Sequence, residues 1–167
     1  MDMEKYQAMA KEMGLTDAVL LKPEQIFFDP RAVLKCRWGC EDFAKRTIKC
    51  GSRGLSHAEC VAMVGRYQNI LLLHGHDAHL LSKAVLALEA AAFLDGHYFA
   101  FGLRYCKLCK ACAVDQGKPC VQPDKVRPCD QAMGIDVYRT AREAGLPCYV
   151  LQSKDEQQNR YGFVLIN

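Results

Sequence analysis

The 167-residue chain reads as a single α+β domain over residues 1–167, and three observations lead there. Half the residues are apolar and a quarter charged, the balance of a globular protein that buries a core. Short apolar runs of strand length alternate with stretches of helical periodicity. Ten cysteines gather mostly in two stretches that show neither period. The expected architecture is about five strands in a mixed sheet, a central buried helix, and two cysteine-rich metal-binding loops at about 29–55 and 104–129.

The elements follow in order. Tyr6, Met9, Ala10 and Met13 recur at i, i+3, i+4 and i+7, one face of a short helix over 3–13. Ala18–Leu21 and Gln25–Phe28 are apolar runs separated by Pro23, two strands or one bent strand. Residues 29–55 have no sustained period and hold the first cysteine group, so they are expected as a loop ordered by a ligand. Ser56 followed by Glu59 is a capping box that opens a helix to about Arg66. Asn69–Leu73 is a buried strand. Asp77 caps a helix that runs to Leu94 and stops at Asp95-Gly96; apolar positions nearly encircle it, which makes it the central buried helix. Tyr98–Leu103 is a strand feeding the second cysteine group. Ile135–Ala144 is a helix ended by Gly145 and Pro147. Cys148–Leu151 and Tyr161–Ile166 are strands of a terminal hairpin around a polar turn.

Several function classes drop out. The best apolar run, Ala84–Leu94, contains Glu89 and falls short of the ~20 residues that span a bilayer. The opening MDMEKYQAMAKEMG has acids and no apolar core, so no secretory signal is read there and a cytoplasmic location without a membrane partner is expected. In that reducing compartment, grouped cysteines bind metal or do redox chemistry more often than they form disulfides. There is no Gly-rich phosphate loop and no paired-carboxylate motif, so no catalytic motif identifies an enzyme.

The net charge of +3 conceals a pattern. Residues 31–53 carry seven bases against two acids and residues 104–127 six against two, a net +9 around the cysteines. Four thiolates around a divalent centre are anionic, and nearby bases offset that charge. A phosphate-binding surface for nucleic acid is the competing reading, disfavoured because aromatic residues among the bases are few.

The strongest signal is Cys106-x2-Cys109-x2-Cys112-x7-Cys120, in YCKLCKACAVDQGKPC. Three cysteines at two-residue spacing let a tight turn aim several thiolates at one centre, as at the start of the ferredoxin pattern for a [4Fe–4S] cluster. The fourth cysteine comes later than in that pattern and after Pro119. Zn2+ is the competitor, although structural zinc sites more often use two separated Cys-x2-Cys knuckles. The first group, Cys36-x3-Cys40-x9-Cys50, offers three thiolates, with Gly39 and Gly51 allowing close backbone approach. Cys60 or Cys129 is the candidate for its fourth ligand, but Cys60 lies on the apolar side of a helix and reads better as a buried thiol. Cys148 begins a strand and reads as core. His74, His76 and His79 could hold one metal; the simpler reading is a strand-to-helix turn with His79 on a helix face and two exposed rings.

Taken together, KCRWGC, the third cysteine ten residues on, LEAAAFLDGHYFAFGLRYCKLCKACA, the following PC and RPCDQAMGIDV resemble an uncharacterised cysteine-rich family labelled "predicted metal-binding protein". The resemblance spans roughly residues 25–150. It implies metal binding through Cys36, Cys40, Cys50, Cys106, Cys109, Cys112 and Cys120, and brings no established reaction. The chain departs from that pattern at Cys50-Gly51-Ser52, where the family has Cys-Pro-Pro, and at Arg127–Ala132, where it has Arg-Pro-Ser-Met-Glu-Ala. Cys60, Cys129 and Cys148 lie outside the pattern.

The expected function is a cytoplasmic iron–sulfur protein with two cysteine-ligated [4Fe–4S] clusters in electron transfer or accessory redox metallochemistry. Its partner would be a redox protein or a small anionic substrate; Lys35, Arg37, Lys49 and Arg53 flank the first group and could hold an anionic substrate or a reduced cluster. Two alternatives stand beside it. One is a zinc protein whose cysteine sites staple loops for partner or nucleic-acid binding. The other is an enzyme whose three-cysteine cluster keeps an open iron.

Overall fold

Ile70, Leu71, Leu72 and Leu73 are wholly buried, and the strand they begin is the axis of the fold. In the computed structural model, which describes residues 3–50 and 53–167, the chain forms α1 (Glu4–Glu12), β1 (Asp17–Leu21), α2 (Arg31–Gly39), α3 (Glu41–Ala44), α4 (His57–Val64), β2 (Ile70–Gly75), α5 (Ala78–Leu94), β3 (Phe101–Leu103), α6 (Val137–Glu143) and β4 (Arg160–Leu165). The strands form one sheet in the order β1-β2-β4-β3, every pair antiparallel. Leu72 pairs with Val19 on one side and with Phe163 on the other.

Alternation along the strands gives the sheet two buried faces. Ala18, Leu71, Leu73 and Val164 pack against Tyr6 and Ala10 of α1 and Leu81, Val85 and Leu88 of α5. Leu21, Ile70, Leu72 and Phe163 pack on the opposite side with Cys60 and Val64 of α4, Ala141 of α6 and Ile135. Capping follows the expected chemistry. Ser56 Oγ accepts from the Glu59 amide while Glu59 takes the Ser56 amide, and Asp77 and Asp136 cap α5 and α6.

The α+β class stands, with corrections of detail. Among the described residues there are four strands rather than five, and the sheet is antiparallel rather than mixed. The run at Gln25–Phe28 follows a single turn of 3-10 helix at Pro23–Gln25, and only Phe28 bridges, to Ile135 outside the sheet. Cys148–Leu151 forms no hairpin because both edges of β4 are already taken, by β2 and β3. The segment 29–55 is not loop throughout, since it contains α2 and α3. Its helical stripe was hidden because the one buried residue of α2 is Cys36, while Leu34 and Trp38 face solvent. Helix α5 has its predicted bounds but buries only one face; Phe93 and Leu94 at its end are exposed. Gly51 and Ser52, which the sequence reading drew on, lie outside the described residues.

Candidate metal centres

The second cysteine loop has short 3-10 turns at Val114–Gln116 and Pro123–Lys125 and is pinned to its surroundings. The Arg104 amide donates to Pro128 O at 2.7 Å, closing the loop at its base. The first turns of α5 grip the loop at Lys107: His79 Nδ1 donates to the Lys107 carbonyl at 3.1 Å and Ser82 Oγ accepts the Lys107 amide at 3.1 Å. Near the far end, Arg127 makes a two-pronged contact with Glu89 of α5, at 2.6 and 2.7 Å. Gly117 takes φ +74°, the left-handed conformation that glycine adopts without strain. It ends the Val114–Gln116 turn between Cys112 and Cys120.

These anchors bring four sulfurs together. Cys106, Cys109, Cys112 and Cys120 line one cavity of about 20 Å³. Burial pushes the Cys106 thiol above its ordinary pKa, and charge on Cys112, Cys120 and Cys109 adds to that rise against a backbone hydrogen bond from Leu108. Cys109 Sγ also accepts from Gln122 Nε2 at 3.5 Å. Lys49 lines the same cavity although it comes from the first cysteine segment. It is almost fully buried, bonds to Asp115, and stands 3.8 Å from Asp42. Burial opposes its charge, but the Asp115 bond, Tyr105, Asp42 and Cys112 outweigh it and raise its pKa.

The first group also converges. Cys36 is buried in α2, Cys40 sits at the joint where α2 ends and α3 begins, and Cys50 follows the turn closed by its amide on Thr47 O at 3.0 Å. Cys36 is pushed up by burial and then by Cys50 and Cys40, so these three thiols share one neighbourhood. Lys49 reaches the second group while Cys50, the next residue, belongs to the first. The two groups are therefore neighbours, a relation that linear spacing does not reveal.

The other sulfurs sit elsewhere. Cys60 packs in the core with Val64 and Ile70, and its charged neighbour is Glu59. Cys129 is half-buried and donates to Asp130 Oδ1 at 3.5 Å; desolvation first, then the Asp130 charge, raises its pKa. Cys148 packs at the edge of the core near Tyr161. The histidines are structural. His74 is buried rather than exposed, held at 2.7 Å by Asp17 and 2.9 Å by Asn159 and stacked on Tyr161. His76 donates to the Gln158 carbonyl.

Among the described residues, no three His, Cys, Asp or Glu side chains are set for a single metal ion. The donor set nonetheless fits a thiophilic group: four soft sulfurs around one cavity, a fixed cation beside it, and three more sulfurs nearby. Sequence reasoning named Lys49 only as a base flanking the first group, and it missed Asp115 and the Glu89–Arg127 pair. Glu89 carried a visible signal, being the lone charge inside an apolar helix.

No helix of the described residues is long and apolar enough to cross a membrane. A family model described as "Predicted metal-binding protein (DUF2284)" matches residues 19–166. No curated protein and no solved structure matches the chain.

Proposed function

The chain belongs to this predicted metal-binding family, and from that membership we propose that it is an iron–sulfur protein with two cysteine-ligated clusters of the [4Fe–4S] type, used in electron transfer or accessory redox chemistry. The cavity between Cys106, Cys109, Cys112 and Cys120 carries the reading. Its four thiols come from a Cys-x2-Cys-x2-Cys start like that of the ferredoxin pattern for a [4Fe–4S] cluster, and the fold turns all of them to one cavity. Structural zinc sites more often draw two ligands from each of two separated Cys-x2-Cys knuckles.

In this reading those four cysteines hold a closed centre, and Cys36, Cys40 and Cys50 hold a second with three thiolates. When bound, such clusters supply reversible one-electron transfer. The chain's own residues prepare the site for an anionic group: Lys49 offsets its charge, and α5 keeps the ligand loop in place through His79, Ser82 and Glu89. The shared Lys49-Cys50 step sets the two centres side by side, as electron passage between them requires. A cytoplasmic location and a redox protein or small anionic substrate as partner complete the proposal.

Anaerobic purification followed by iron, sulfide and zinc analysis tests it. Two clusters require about eight irons and eight sulfides per chain and a visible absorption that bleaches on reduction. Zinc without sulfide overturns the reading and makes the two groups loop-stapling zinc sites.

A further inference from the structure

Between α2, α6 and the start of β4 lies a cleft of about 760 Å³, within the ~300–1,000 Å³ range of small-molecule sites. Four cations line it, Arg31, Lys35, Arg104 and Arg160, with three carboxylates, Asp29, Asp130 and Asp136. The carboxylates are already engaged. Asp29 holds Arg31 at 2.5 Å, and Asp136 accepts the Arg139 amide at the start of α6 at 2.9 Å. Asp130, buried, accepts the Gln131 amide at 2.7 Å and the Cys129 thiol. Lys35, Arg104 and Arg160 form no ion pair among the described residues.

Arg104 is the most informative of the three. Its Nε is buried and has no hydrogen-bond partner among the described residues. Its stem passes over Gly162, where a Cβ would stand 3.2 Å from Arg104 Cδ. Its charged neighbours are Asp130, too distant for an ion pair, and the like-charged Arg160. Two guanidinium groups held near each other, one with a buried donor unmatched, form an arrangement that a bound oxyanion relieves. Tyr138, exposed on the same cleft, offers ring surface to an organic body.

We propose that this cleft binds a small organic anion bearing a carboxylate or phosphate, its oxygens taken by Arg104 and Arg160 and its body resting on Tyr138. Of the four bases expected to hold such a ligand, only Lys35 lines the cleft; Lys49 is turned inward to the four-cysteine cavity. Ala32, on the cleft wall, and Cys36 lie one turn apart on α2, so the bound anion stands beside the first thiol group. Only that adjacency rests on the two-centre reading.

Calorimetric titration of the anaerobically purified protein with phenyl phosphate, benzoate and inorganic phosphate tests the proposal. One site per chain is expected for an organic probe, weakening as salt is raised. Phenyl phosphate binding above benzoate assigns a phosphate ester, and the reverse order a carboxylate. Arg160→Gln and Lys35→Gln each weaken binding at least about tenfold, while Lys11→Gln on α1, across the sheet, leaves it unchanged. Binding by none of the three probes, or binding in both cleft variants as tight as in the wild type, overturns the assignment. Iron and sulfide are counted in the same samples. A zinc-only protein that still loses the anion with Arg160→Gln overturns the cluster reading and leaves the cleft standing.

Discussion

Replacing Glu89 by Gln removes one charge while nearly preserving volume, and it isolates the clamp that holds the second cysteine loop to α5. Glu89 Oε1 lies 2.6 Å from Arg127 Nη2; Oε2 lies 2.7 Å from Arg127 Nε and 2.6 Å from the Gly102 amide. The two side chains are 14% and 17% exposed. A hydrogen bond to a charged group contributes ~1.5–3 kcal/mol, and stranding one charge of a fully buried pair costs ~3–5 kcal/mol. Residual exposure admits water, and the Gln carbonyl keeps one acceptor, so the expected loss is about 2–3 kcal/mol. At ~2–4 °C per kcal/mol for a chain of this size, Tm falls by about 5–10 °C. The assay is thermal unfolding at pH 7 beside Lys5→Gln, whose partner Asp95 stands at 2.5 Å but with 47% and 36% exposure, a pair that contributes under about 1 kcal/mol. Metal content should fall with the Glu89 substitution as the loop loosens. A Glu89→Gln protein that melts no lower than Lys5→Gln and keeps its metal refutes the clamp.

Cys109→Ala should remove about half the bound metal, read by elemental analysis, while Cys148→Ala leaves it unchanged, because only the former lines the four-thiol cavity. Gly134→Ala should destabilise by ~1–2 kcal/mol more than Gly96→Ala in urea titration. Both glycines have positive φ, but a Cβ at 134 would stand 2.2 Å from His57 Nδ1, whereas at 96 it meets nothing within 4 Å. The hydrogen bond from Lys49 holds the Asp115 carboxyl below its ordinary pKa. The stability it contributes is complete above the unfolded value of ~4 and is lost as pH falls through the lower folded value. The gap between wild type and Asp115→Asn should therefore be constant from pH 7 to about 5 and close below about 4 in pH-dependent urea titrations.

Local signals placed much of this protein. The Ser56–Glu59 capping box, the Asp77 cap with the Asp95-Gly96 stop, and the uninterrupted apolar run before His74 each act within a few residues, so they mark α4, α5 and β2 in the linear chain. The cysteine spacing likewise singled out Cys106, Cys109, Cys112 and Cys120, which the fold gathers around one cavity. Helix α2 escaped because its stripe is a single cysteine turned inward beneath an exposed Leu34 and Trp38.

Pairing and long-range charge belonged to the tertiary structure. The apolar run Cys148–Leu151 suits a strand, but it does not show that β2 and β3 already occupy both edges of β4. Composition shows only that many bases lie near the cysteines in sequence, not which of them meets a thiol. Only the fold selects Lys49, because desolvation and its bond to Asp115 depend on residues 66 positions apart meeting at the four-thiol cavity. The same holds for Arg104 and Arg160, whose unpaired charges become a candidate binding site once the sheet brings β3 and β4 side by side. Spacing acts through covalent geometry and is written in the chain; the burial and partnering of a charge depend on segments far apart, and folding alone supplies them.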